Sequence, residues 1–262
     1  MGKLTDALKK AAAERLAHME KIEQRTEVQY QFVARKKVES TIDPRIVAFH
    51  DPHSTVSEQY RILRTNLQGL ATHKPLKVFA LTSATHGEGK TITSLNLAIS
   101  MAHDLDKKHI LLVDADLRRG RLSKYLGITA ETGLAEVLTN GSNPDDALLN
   151  IGVKDLTVLP AGKVPHNPAE LLGSAKFKSL IALLRNKYDY VIFDTPPIIP
   201  VTDAGVLAAQ TDGVVMVIQA NRTQKSVVQH AETLLKQAQA KMLGYILTNV
   251  QYHVPDYIYR YL

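Results

Sequence analysis

Lys90 and Thr91 close the run Ala84-Thr85-His86-Gly87-Glu88-Gly89-Lys90-Thr91, and residue types at that spacing are suited to holding a polyphosphate. The pattern G-x-x-x-x-G-K-[ST] is met except that Ala84 stands at the first glycine. Gly87 and Gly89 let backbone N–H groups close around phosphate oxygens, with Glu88 and Ile92 completing the candidate nucleotide-binding stretch. Lys90 is expected to face solvent and carry a point charge to the β- and γ-phosphates, and the Thr91 hydroxyl to bind Mg²⁺. Asp114 and Asp116, two residues apart, and Asp194, directly before Thr195-Pro196-Pro197, add three carboxylates. Buried alone they would be costly, but beside a Mg²⁺–triphosphate they are hydrogen-bonded or coordinated. A reading in which Asp114 and Asp116 only cap the next helix stays open.

These groups need a frame that brings them to one edge. From residue 76 the chain alternates short, β-branched, nearly continuous apolar runs with helical stretches. Strands are expected over 76–82, 109–113, 156–159, 190–193, 214–218 and 243–250, buried on both faces, with helices over 91–104, 168–186 and 225–240. That alternation indicates an α/β fold, a doubly wound, mainly parallel sheet flanked by helices. The phosphate loop, Asp114–Asp116 and Asp194 each follow a strand, at the carboxyl edge where such sheets bind ligands.

The start of the chain is set apart by composition. Residues 1–40 hold nine Lys/Arg and six acids, half of the net +6 of the whole chain. Apolar residues at helical spacing from Leu4 to Ile22 predict an amphipathic helix over 4–24. The division expected is a basic helical arm and linker over 1–45, a P-loop domain over 46–250 and a tyrosine-rich tail over 251–262. The zero cysteines exclude disulfides, thiolate zinc, iron–sulfur clusters and a catalytic thiol. The mild basic excess does not call for nucleic acid, and none is expected as a partner. No apolar run is long enough for a bilayer-spanning helix, so a cytoplasmic location is expected. His50, Asp51 and His53 surround Pro52 and read as solvated loop residues, with no metal expected there.

A P-loop, a D-x-D-x-R strand end and an apolar strand ending in D-T-P-P resemble the deviant P-loop ATPases related to cell-division and chromosome-partitioning ATPases. Those partitioning relatives usually carry a lysine where this chain has Thr85. The Asp-Leu-Arg-Arg continuation at 116–119, the segment Glu58-Gln59-Tyr60-Arg61-Ile62-Leu63-Arg64-Thr65-Asn66-Leu67 and the stretch Asn167-Pro168-Ala169-Glu170-Leu171-Leu172 instead resemble the bacterial tyrosine autokinases of capsule and exopolysaccharide export. Tyr252, Tyr257, Tyr259 and Tyr261 are similar to that family's autophosphorylated C-terminal cluster. The chain departs from the family at His86, where Pro is usual, at Ala84, and at Gly120, where Pro is common after Arg119.

The resemblance implies an ATP- and Mg²⁺-dependent tyrosine autokinase. Lys90, Asp114 and Asp116 would be catalytic, Asp114 receiving or orienting the phenolic proton. Thr91, Asp116 and Asp194 would serve the metal, and Asn249 would contact adenine. It also implies a homo-oligomeric ring, with Glu58, Arg61 and Arg64 as its contact. A separate membrane-anchored polysaccharide copolymerase would hold the protein at the inner face of the membrane. The rival reading is an ATP-operated switch or scaffold of the partitioning type, which would use the same loop and transfer nothing to tyrosine. An electron-transfer ATPase with this fold is excluded by the missing cysteines.

Overall fold

The computed structural model describes residues 36–37, 41–71 and 76–250. The N-terminal helix expected over 4–24 and the tail over 251–262 lie outside them. Eight strands form one sheet: β1 (Lys36–Lys37), β2 (Val78–Ser83), β3 (Ile110–Asp114), β4 (Leu149–Asn150), β5 (Leu156–Leu159), β6 (Tyr190–Asp194), β7 (Gly213–Gln219) and β8 (Met242–Thr248). Their order across the sheet is β1-β4-β5-β3-β6-β2-β7-β8, and every pairing is parallel except that of β4 with β5. The doubly wound sheet is therefore as expected, with two additional two-residue strands.

Alternation along each central strand separates two cores. Val78, Ala80, Leu111, Val113, Val191, Phe193, Val214 and Met216 pack on one side, while Phe79, Leu81, Ile110, Leu112, Ile192, Val215 and Val217 pack on the other. Helices cover both sides because β-branched residues on both strand faces must leave water. On the first side Phe177 and Phe193 meet edge to face, ring centroids 5.7 Å apart. One strand departs from the expected burial: β8 lies at the sheet edge, and Tyr245 and Leu247 are exposed.

The helices that matter for the site are α1 (Val47–His50), α2 (Thr55–Ala71) and α3 (Lys90–Ala102). After β3 come α4 (Leu122–Leu126), α5 (Leu134–Asn140) and α6 (Pro144–Ala147). The single helix expected over 168–186 is two, α7 (Pro168–Gly173) and α8 (Ala175–Lys187), because the Ser174 side chain accepts from the Phe177 N–H and starts a new helix. The last two are α9 (Asp203–Ala208) and α10 (Lys225–Gln237). Buried Asn96 ties α1 to α3, accepting from the Ala48 N–H at 2.8 Å and donating to the Arg45 carbonyl at 3.2 Å.

Candidate active site

The phosphate loop leaves β2, the strand flanked by β6 and β7, and ends at the first residue of α3. Gly87 and Gly89 have φ of 83° and 92°, a left-handed backbone that side chains rarely tolerate. This curls the loop so that its N–H groups and the positive end of α3 face one small cavity of about 50 Å³. Lys90, Thr91 and Ile92 line it from the helix, His86, Gly87 and Gly89 from the loop, and Asp116 from the end of β3.

Strand register assembles the carboxylates. Asp114 on β3 pairs with Asp194 on β6, so two acids sit side by side on neighbouring strands. Both are buried, and burial raises both proton affinities; Asp194 is pushed up to about 6 and Asp114 well above the usual carboxylate range, each reinforced by acidic neighbours. Lys90 and the hydroxyls of Thr91 and Ser94 act against this at Asp194, with Ser94 Oγ 3.0 Å from Oδ1. Asp114 accepts from the Asp116 N–H at 3.2 Å and the Leu122 N–H at 3.0 Å, so it pins the turn after β3. Asp116, and not Asp114, lines the cavity.

Lys90 corrects the expectation of a solvent-facing lysine: it is only 8% exposed. Burial lowers its pKa, opposed by Asp194, Asp116 and Glu88. Glu88 is buried too, and its carboxylate turns away from the cavity to accept from the Thr85 N–H at 2.7 Å and from the Thr223 hydroxyl. Its carbonyl accepts from Thr248 Oγ1 at 2.8 Å. Only the loop backbone at Glu88 is thus free to serve a nucleotide. Asn249, at the end of β8, lines a separate and larger groove between α2 and β8.

Residues 76–245 match the family described as AAA domain. The chain is 39% identical over 213 residues to the tyrosine-protein kinase YwqD of Bacillus subtilis, covering 81% of this chain and 89% of that protein. The chain belongs to the bacterial tyrosine-protein kinases. To the tyrosine-protein kinase CpsD of Streptococcus agalactiae it is 39% identical, over 76% of this chain and 86% of that one. The kinase domain of the Escherichia coli tyrosine kinase ETK superposes with a TM-score of 0.77 at 28% identity, covering 85% of this chain and 86% of that chain.

Several residues of this kinase do work that the sequence did not advertise. Arg222, after β7, donates to the carbonyls of Gly87 at 3.1 Å and His86 at 3.3 Å and so holds the phosphate loop from outside. Arg119, Arg121 and Tyr125 line the cavity opposite the loop. Arg118, the arginine of D-x-D-x-R, points elsewhere, with Nε and Nη2 donating to fully buried Asp203 at 2.8 and 2.9 Å. Glu58, Arg61 and Arg64 follow one another at steps of three along α2. Arg61 pairs with Glu58 at 2.7 Å, while Arg64 turns onto α3 and donates to the Ser100 carbonyl at 2.6 Å. Tyr252, Tyr257, Tyr259 and Tyr261 lie outside the described residues. No helix among the described residues is long and apolar enough to cross a membrane.

Proposed function

We propose that this kinase transfers the γ-phosphoryl of ATP to Tyr252, Tyr257, Tyr259 and Tyr261 of a neighbouring copy. The observation that carries the reading is a cavity lined by the phosphate loop, buried Lys90 and Asp116 at the carboxyl edge of the sheet, with Asp114 and Asp194 paired on the neighbouring strand ends. Gly87, Glu88, Gly89, Lys90, Thr91 and Ile92 bind the nucleotide phosphates, the loop N–H groups and Lys90 drawing charge from the transferring group. Thr91, Asp194 and Asp116 are hard oxygen donors that fit Mg²⁺, and the raised proton affinity of Asp194 marks a place where positive charge is wanted. No group of three or more His, Asp or Glu residues among the described residues holds a metal by itself, so Mg²⁺ would draw further ligands from phosphate and water. When bound, the metal neutralises charge on the phosphate oxygens.

The acceptor phenol has a pKa of about 10 and reaches the site protonated, so a carboxylate must take or orient its proton. We assign this to Asp114, whose burial increases its appetite for a proton, with Asp116 at the cavity wall supporting the metal's water shell. We assign the adenine contact to Asn249, since the hydroxyl of Thr248 beside it donates to the Glu88 carbonyl of the phosphate loop. Copies assemble in a ring through Glu58, Arg61 and Arg64 of α2, a head-to-tail contact that brings each tail to a neighbour's site. A membrane-anchored polysaccharide copolymerase recruits the kinase to the inner face of the membrane, where phosphorylation regulates capsule or exopolysaccharide polymerisation and export.

Mass spectrometry of the C-terminal peptide after incubation with ATP and Mg²⁺ tests the reading. Phosphate is expected on the tail tyrosines of the wild type and on none in a Lys90→Met protein. Nucleotide hydrolysis with an unmodified tail would favour the switch reading instead.

A further inference from the structure

Arg118, Arg119 and Arg121 follow Asp116 closely in the chain, and the fold treats them differently. Arg118 is held by buried Asp203 through bonds of 2.8 and 2.9 Å. Arg119 and Arg121 line the phosphate cavity on the wall opposite the loop; both are exposed, and neither guanidinium has an acceptor among the described residues. Their backbone is fixed even so. Asp116 accepts from the Arg119 N–H, at 3.1 Å through its carbonyl and 3.2 Å through Oδ1, and Asp114 Oδ2 accepts from the Leu122 N–H at 3.0 Å. Gly120, between the two arginines, has a φ of 48°, and a Cβ there would stand 3.1 Å from the Ala161 side chain.

Among the described residues that line the cavity, the cations Lys90, Arg119 and Arg121 face the single carboxylate of Asp116. The resulting field is felt by its neighbours. Burial lowers the pKa of His86, and Arg119, Lys90 and Arg121 add to the fall against the pull of Asp116. Arg121 likewise works with burial to lower Lys90, against Asp194, Asp116 and Glu88. Arg121 and Lys90 therefore repel each other across the cavity, and an anion placed between them relieves that repulsion.

We propose that Arg119 and Arg121 grip the γ-phosphate of bound ATP from the wall opposite the loop, so that the site separates ATP from ADP. In a phosphate loop the backbone N–H groups cradle the α- and β-phosphates and the lysine reaches the β- and γ-phosphates, which leaves the outermost phosphate for donors on the facing wall. Guanidinium forks match phosphate oxygens, and hydrogen bonds between ions are the strong ones. The inference rests on the loop being an ATP site and is independent of which group accepts the phosphoryl.

Calorimetric titration of the full chain with ADP and with the non-hydrolysable β,γ-imido analogue of ATP, each with Mg²⁺, tests this. Arg121→Gln and Arg119→Gln are each expected to weaken binding of the analogue roughly tenfold, as for loss of a charge-assisted hydrogen bond, while ADP binds both variants within about twofold of the wild type. Arg121→Lys should lose less, because an ammonium keeps the charge without the fork. Both arginines are exposed, so the substitutions leave the core untouched, and retained ADP binding shows that the loop is intact. The proposal is overturned if either glutamine variant binds the analogue as the wild type does, or if the analogue and ADP are weakened alike, which would make the arginines a diffuse attraction for any phosphate. A wild type that binds neither nucleotide would instead remove the ATP site on which the proposal rests.

Discussion

A lysine buried among acids and a pair of acids buried side by side hold one another in place, so the charges of the site are interdependent. Lys90→Met keeps the stem but removes the charge that reaches the phosphates; phosphotyrosine formation should fall by at least about a hundredfold while circular dichroism stays unchanged. Undiminished phosphorylation by a folded variant would take the loop lysine out of the mechanism. Asp194 gives a pH signature. Its folded value of about 6 lies above the ordinary 3.8, so the folded protein holds a proton there that the unfolded chain has released. The stability linked to that proton is complete below about 3.8 and is lost as pH rises through about 6. In Mg²⁺-free buffer, the melting temperature of Asp194→Asn minus that of the wild type should be near zero at pH 4, grow through this window and level off above it. A difference that stays flat with pH would contradict the assignment. The loop and the carboxylates were legible in the sequence because each is a short local pattern at a strand end. The burial of Lys90 was not, since it depends on strands joined only in the folded sheet.

Elements, more than single residues, decide how firmly the loop is held. The ends of β7 and β8 support it through Arg222, Thr223 and Thr248, which reach Gly87 and Glu88 from the neighbouring side of the sheet. Arg222 lies 135 residues from Gly87, and no spacing rule links the two. Arg222→Ala is therefore expected to leave the fold intact and raise the KM for ATP several-fold, because a loosened loop must be ordered by the nucleotide itself. Steady-state kinetics with Arg222→Lys as the conservative control check this, and an unchanged KM in the alanine variant would make the contact incidental. The six longer strands were readable from continuous β-branched runs, although Ser83, Asp114 and Asp194 extend three of them by a residue into the site. Lys36–Lys37 and Leu149–Asn150 are too short to show any period. The break at Ser174 did have a signal, a Gly-Ser pair that stops one helix and caps the next.

For the molecule as a whole, the proposed tail phosphorylation has an electrostatic consequence. Each phosphotyrosine adds about −1.5 to −2 charges, and a tail bearing several would be repelled by Asp116, Asp194 and a bound triphosphate. Light scattering should show an assembly before ATP treatment and smaller species after it, with Arg61→Ala/Arg64→Ala small throughout. Identical masses in all three samples would reject both the contact and its control by phosphorylation. The sheet order also governs how the protein is made. The phosphate-loop strand has neighbours that come late in the chain: Val78 pairs with Val191, and Thr82 donates to the carbonyl of Pro196, 114 residues on. While the polypeptide is still emerging from the ribosome, β2 therefore has no partner on either side, and the loop it carries cannot take its working shape until β6 and β7 have been synthesised. A nascent chain stalled before residue 190 would expose the apolar face of β2 as a client for chaperones and would bind no nucleotide, so kinase activity is withheld until most of the domain exists.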